Sequence, residues 1–76
     1  LPELQINGLM NPVVQVYNEK DKDLEYAIRI AGDRFTPKVY QKETTYRVRI
    51  GDPDKELWKE FNQVSPNDRI PLVCNF

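Results

Sequence analysis

"FTPKVYQKETTYRVRIGDP", residues 35–53, decides the fold. Its second half alternates strictly: Tyr46, Val48 and Ile50 are apolar, while Thr45, Arg47 and Arg49 between them are polar. Successive side chains of a strand point to opposite faces, so this alternation marks a strand with one face on a core and one in water. In the first half Pro37 precedes the apolar Val39-Tyr40, Gln41 to Thr44 are polar, and Gly51-Asp52-Pro53 closes the stretch. The pattern predicts a hairpin. Pro37 opens one strand, Gln41 to Thr44 turn, and the second strand puts Tyr46, Val48 and Ile50 on the core.

The same period runs outward in both directions. In "LEYAIRI" Leu24, Tyr26, Ile28 and Ile30 oppose Glu25, Ala27 and Arg29. "PVVQVYN" has Val14 and Val16 on one side and Val13 and Tyr17 on the other; apolar residues on both faces predict a central strand. "LQING" near the start reads as a short edge strand. The charged run Asn18 to Asp23 is short enough to be a hairpin loop. In "KELWKEFNQV", 55–64, Leu57, Phe61 and Val64 fit one face of a helix capped by Asp54, and a strand from Trp58 to Val64 fits as well. The tail "RIPLVCNF" alternates Ile70, Leu72, Cys74 and Phe76, with Pro71 restricting it to an edge. Residues 66–76 are thus a last edge strand or a loose tail. Short strands punctuated every 8 to 12 residues or so indicate an all-β fold. The expectation is one domain over 1–76, a small antiparallel β-sandwich of six to seven strands, since short connections favour antiparallel neighbours. The expected core is Val14, Val16, Leu24, Tyr26, Ile28, Ile30, Val39, Tyr46, Val48, Ile50 and Phe61.

Composition narrows the function classes. Eleven basic and 12 acidic residues leave a net charge of −1, unlike the basic face that meets nucleic acid. No apolar run approaches the roughly 20 residues of a membrane span. The chain has no His and one Cys. That rules out an intrachain disulfide and a Ser-His-Asp or Cys-His arrangement, and it leaves too few ligands for a zinc site. Neither a cofactor nor catalysis is expected. Cys74, between apolar neighbours, is expected to be a buried, inert thiol. Leu1-Pro2-Glu3 has neither an initiating Met nor a basic start and apolar stretch, and the expectation is an excised domain or mature chain from a larger protein.

Three sets of residues are candidates for binding. Residues 18–23 with Asp52 and Asp54 offer oxygens for Ca²⁺, but the spacing lacks the Gly and terminal Glu of a helical calcium loop and carries two Lys, so a solvated turn is expected. Arg29, Arg47 and Arg49 project from the polar faces of their strands. If those strands are neighbours, three guanidinium groups make a patch for a phosphate or carboxylate; otherwise they are a solvated face paired to Glu25 or Glu43. Tyr17, Tyr40 and Trp58 cannot be assigned to core or surface by alternation, and serve either core or inter-domain packing or sugar stacking. The candidate ligand-binding set is therefore Arg29, Arg47, Arg49 and Trp58.

Several of these elements together resemble a known kind of domain. They are Pro12-Val13-Val14-Gln15-Val16, the Leu24 to Ile30 strand with Gly32, Phe35-x-Pro37-Lys38-Val39, Tyr46-x-Val48-x-Ile50-Gly51-Asp52-Pro53, and Trp58-Lys59. Over residues 11 to 64 the chain resembles an immunoglobulin-like or prealbumin-like accessory domain, such as the C-terminal domain of secreted bacterial metallophosphoesterases of the alkaline-phosphatase-D type. One departure is Lys42-Glu43-Thr44-Thr45, where such domains usually have Gly in the turn before the Tyr. The resemblance favours the strand for 58–64. It implies an extracytoplasmic location, periplasmic or secreted, and a supporting role beside an enzyme domain. It carries over no catalytic residue, because the metal ligands of those enzymes lie in another domain. The function expected is a non-catalytic accessory or interaction module of a larger secreted or periplasmic bacterial protein. Its partner would be another domain of the same polypeptide or a separate protein. The alternatives are a carbohydrate-binding module using exposed aromatics, or a standalone adhesion domain joined through a strand edge.

Overall fold

The alternating segments become strands that share one apolar interior. A computed structural model describes residues 1–76. It has seven strands: β1 (Leu4–Asn7), β2 (Val13–Asn18), β3 (Asp23–Arg29), β4 (Arg34–Phe35), β5 (Tyr46–Asp52), β6 (Leu57–Val64) and β7 (Leu72–Asn75). They form two sheets, β4-β1-β7 and β3-β2-β5-β6. The chain is an all-β sandwich of two packed layers. No helix is long and apolar enough to cross a membrane.

β2 and β5 form the centre of the larger sheet, in antiparallel register with Val14 opposite Ile50 and Val16 opposite Val48. These four side chains are fully buried. Leu4 and Ile6 of β1 and Cys74 of β7 meet them from the smaller sheet, and Ile30, Tyr46 and Val64 complete the interior. Fully burying each large apolar side chain contributes about 1.5–3 kcal/mol.

The segment 55–64 is resolved in favour of the strand. Asp52 Oδ1 accepts the Asp54 amide at 2.9 Å, and a tight turn delivers the chain into β6. Opposite β5, Val48 pairs with Phe61 but Tyr46 pairs with Val64, so β6 carries an extra residue at a bulge. Gln63, with φ 54°, lies within it. The bulge turns a spacing of two on β5 into three on β6, which is why Phe61 and Val64 both reach the interior and mimic a helical repeat in the sequence.

Other expectations are corrected. The hairpin over 35–53 does not form: only Phe35 of its first half lies in a strand, and residues 36–45 contain none. That segment is held by side chains and a chain terminus instead of a ladder. The Leu1 amino group donates to the Pro37 carbonyl (3.0 Å), the Tyr26 hydroxyl to the Lys38 carbonyl (3.1 Å), and the Tyr46 hydroxyl to the Gln41 carbonyl (3.0 Å). β1 is central in its sheet, because β7 returns beside it. The two run parallel, with Leu4 opposite Leu72 and Asn7 opposite Asn75. The short-connection argument for antiparallel pairing does not reach strands so far apart in the chain. The tail is therefore an edge strand, though Ile70 before it is 81% exposed.

Leu24 and Ile28 leave the expected core, being 48% and 42% exposed. A bulge shifts the β2–β3 register after Val16, so Val16 pairs with Tyr26 but Tyr17 with Leu24. Leu24 thereby joins the outward row of Tyr17. Ile28 stays on the inner face opposite Val14, but β3 is the sheet's edge and the smaller sheet has only the two-residue β4 on that side. Tyr26, Val39 and Phe61 are half-buried.

Candidate functional site

The outer face of the larger sheet gathers the side chains that sequence parity turned away from the core. Register sets Tyr17 of β2 opposite Arg47 of β5, Gln15 opposite Arg49, and Val13 opposite Gly51. On the other side Arg49 faces Glu60 of β6 and Gly51 faces Trp58. The result is a row across three strands: Tyr17, Arg47, Glu60, Arg49, Trp58.

The row is ordered by contacts. The Arg47 guanidinium lies 4.3 Å from the Tyr17 ring centroid, and that of Arg49 lies 4.7 Å from Trp58. Glu60 Oε1 stands 3.6 Å from Nε of both arginines. Gln15 Oε1 accepts Arg49 Nη1 at 3.2 Å and the Tyr17 hydroxyl at 3.3 Å. Each exposed ion pair is worth about 0–1 kcal/mol, and each cation–π contact about 0.5–1 kcal/mol at an exposed site. Their combined effect is to fix orientation. Arg47 Nε is shielded from water yet has no hydrogen-bond partner, because Glu60 is shared and stands beyond bonding distance.

Gly51 explains where Trp58 lies. A Cβ at Gly51 would come within 2.7 Å of Trp58 Cδ2 and Cε3 and collide with the Leu57 carbonyl. The indole occupies the space left by the missing side chain, a use of strand glycine for close approach.

Of the candidate set, Arg47, Arg49 and Trp58 come together and Arg29 does not. β3 and β5 are not neighbours; β2 lies between them. Arg29 sits across Val13 from Gly51, and its Nη1 donates to the Asn11 carbonyl at 2.9 Å. The partner of Arg47 and Arg49 is Glu60, not Glu25 or Glu43. Tyr40 is fully exposed in the segment before β5 and lines a cleft with Glu25 and Tyr26 instead of joining the row. Sequence reasoning missed Gln15, Glu60 and Gly51. Gly inside an alternating strand is a recognised signal of close approach, but Gly51 stands beside Asp52-Pro53 and so reads in the sequence as the strand's end.

Beside the row, Tyr17, Asn18, Glu19, Lys22 and Arg47 line an open cleft of about 370 Å³. Its floor is Asn18, fully buried at the end of β2. Asn18 Nδ2 donates to Glu25 Oε1 and Gln41 Oε1, each at 3.1 Å. Its Oδ1 accepts the amides of Lys20 (3.0 Å) and Asp21 (3.2 Å) and the Thr44 hydroxyl (3.4 Å). The charged run at 18–23 is therefore a turn organised by one buried amide.

Three groups have displaced proton affinities. Burial pushes the Tyr46 hydroxyl up, with the charge of Glu25 adding to it. Burial also raises Tyr26, against the bond to the Lys38 carbonyl. The Cys74 thiol is raised by burial and partly offset by Lys59, so little of it is the reactive thiolate near neutrality. Lys59 itself donates to the Asn75 carbonyl and lies over the Phe76 ring, closing the sandwich on the β6 side.

In comparisons with protein-family models, characterised proteins and solved structures, nothing matches the chain.

Proposed function

We propose that this chain is a non-catalytic interaction module that docks a protein domain onto the outer face of β2, β5 and β6. The observation that carries this reading is the ordered row of Tyr17, Arg47, Glu60, Arg49 and Trp58. Trp, Tyr and Arg are the residues that dominate binding energy at protein interfaces. Here they are held by Glu60, Gln15 and the Gly51 vacancy before any partner arrives, which lowers the ordering cost of association. The partner is another domain of the same, larger bacterial polypeptide, and the setting is extracytoplasmic. Both follow from the resemblance of residues 11–64 to phosphoesterase accessory domains.

The carbohydrate alternative is less well served by this geometry. Sugar stacking needs free aromatic faces, and the Tyr17 and Trp58 rings each carry a guanidinium, while Tyr40 shares a cleft with Tyr26, whose hydroxyl is already tied to the Lys38 carbonyl. The test is titration of the module against the remainder of its polypeptide by calorimetry. Arg47→Ala and Trp58→Ala should each weaken binding by about tenfold or more, the mark of an interface anchor, with the fold checked by circular dichroism. Full-strength binding by both variants sinks the reading. So does glycan binding lost in Trp58→Ala, or hydrolase turnover lost on one substitution.

A further inference from the structure

We propose that two copies of this chain pair edge to edge through β3, antiparallel about a two-fold axis at Ala27, to make one continuous eight-stranded sheet. The direction of the backbone groups comes first. The Ile30 amide donates to the Pro12 carbonyl across the β2 side. Polar groups of a strand alternate sides residue by residue, so Ile28 and Tyr26 also address β2, while Ala27 and Arg29 turn theirs outward. β3 is the terminal strand of its sheet, and those outward groups have no strand beside them. An edge of this kind is a template for another strand.

The occupant is argued from the strand's complementarity to itself. With the axis at Ala27, the two Ala27 residues exchange their amide and carbonyl bonds. Tyr26 of each copy then lies opposite Ile28 of the other at a non-hydrogen-bonded position, where side chains approach most closely. Both belong to the inner face, opposite Val16 and Val14. Ile28 is 42% exposed there, and an aromatic against a β-branched residue is a favourable cross-strand pair. The register also sets Arg29 of each copy opposite Glu25 of the other. Each keeps one contact within its own chain, Arg29 Nη1 to the Asn11 carbonyl and Glu25 Oε1 from Asn18 Nδ2, and the opposite charges face each other with their remaining polar atoms. No Pro or Lys interrupts 24–30. The other edge of the same sheet is less suited: β6 carries Lys59, tied across to the Asn75 carbonyl, and is bulged within 61–64, whereas the β3 bulge at Glu25 falls at the ends of the seam and leaves Tyr26 to Arg29 regular. The closed contact uses the same patch on both copies and cannot propagate. It leaves the Arg47–Trp58 row free, so it stands independently of the docking reading.

A seam of one strand pair is at the small end of protein interfaces, and the association is expected to depend on concentration. Sedimentation equilibrium from about 10 µM to about 1 mM should show the mass rising from one chain toward two, a range that spans weak self-association. Over that range, amide exchange at Ala27 and Arg29 should slow by about tenfold or more, while Tyr26 and Ile28 stay protected throughout. Ile28→Asp should abolish both effects. Ala27→Pro removes a donor that β2 does not use and should do the same; if it fails to fold, Ile28→Asp decides. A single-chain mass at every concentration overturns the proposal. A dimer that persists in Ile28→Asp, or one in which Ala27 and Arg29 exchange as fast as in dilute protein, also overturns it.

Discussion

Asn18→Asp changes one nitrogen to an oxygen in the buried knot at the end of β2, and its effect should depend steeply on pH. Oδ1 can still accept the Lys20 and Asp21 amides. The other atom now meets Glu25 Oε1 and Gln41 Oε1, two acceptors that Asn18 Nδ2 satisfied at 3.1 Å. If the new carboxyl ionises, it faces the Glu25 carboxylate; two charges about 4 Å apart at an effective dielectric of about 20 repel by about 4 kcal/mol. If it stays protonated, holding a group of ordinary pKa near 3.9 neutral at pH 7 costs about 1.4 kcal/mol per unit, again about 4 kcal/mol. Either route removes much of the stability of a domain of this size, at roughly 0.05–0.15 kcal/mol per residue. The sign follows from linkage. The folded-state pKa of the new group is raised, so the variant is close to wild type below the unfolded pKa, and the loss grows as pH rises through the folded one. At low pH the protonated carboxyl can also donate to Glu25 as the amide did. Urea unfolding of both proteins at pH 4 and pH 7 measures this directly. A destabilisation that is equal at the two pH values to within about 0.5 kcal/mol, roughly the extrapolation error, would refute the knot.

Three further outcomes are expected. Gly51→Ala should cost at least about 1–3 kcal/mol, as overpacking does, because the new Cβ collides with the Leu57 carbonyl as well as needing the space Trp58 fills, and it should shift the emission of the single tryptophan; an unchanged spectrum would remove the indole from that site. Val48→Asp puts a carboxylate at a fully buried position opposite Val16 and Phe61, a penalty of several kcal/mol, so no cooperative thermal transition should remain; a wild-type melt would mean the β5 register is wrong. At high pH, Tyr46 and Tyr26 keep protons that the unfolded chain releases near pH 10. Stability should therefore be full below about pH 10 and fall as pH rises toward the folded values. Tyr46→Phe should flatten that fall, while losing about 1 kcal/mol at neutral pH with the hydroxyl bond to Gln41; an identical alkaline profile would count against the buried hydroxyl.

What the sequence revealed depended on how local the cause was. Val14, Val16, Tyr46, Val48 and Ile50 are legible because alternation reports which face is buried, and both central strands are covered along their length. Leu24 and Ile28 mislead for the same reason. Alternation names a face, and neither the bulge that turns Leu24 outward nor the shortness of β4 above Ile28 is visible in it. The central place of β1 depends on β7, a partner at the other end of the chain. Residues 36–45 look like half of a hairpin because the Tyr26 and Tyr46 hydroxyls that tether them act at a distance. At the candidate site, parity places Arg47 and Arg49 outward, but their partner Glu60 depends on the β6 register, which the bulge at 61–64 sets. Asn18 carries a local signal of its own, an Asn before two turn amides, the ordinary arrangement of an Asx turn; its burial, which makes it the hub of the knot, is set by distant Gln41 and Thr44.

The parallel pairing of β1 with β7 has a mechanical consequence. The chain enters this ladder at Leu4 and leaves it at Asn75 in the same direction. Tension applied between the two termini therefore drags the strands lengthwise past each other. The Leu72 amide on the Glu3 carbonyl, the Phe76 amide on the Asn7 carbonyl, and the Asn7–Asn75 side-chain bond are strained together. An antiparallel terminal pair pulled from its open end would instead unzip rung by rung. Strung between other domains under load, this fold would resist as a clamp in shear and yield late and all at once, with Leu4, Ile6 and Cys74 drawn from the interior as it does.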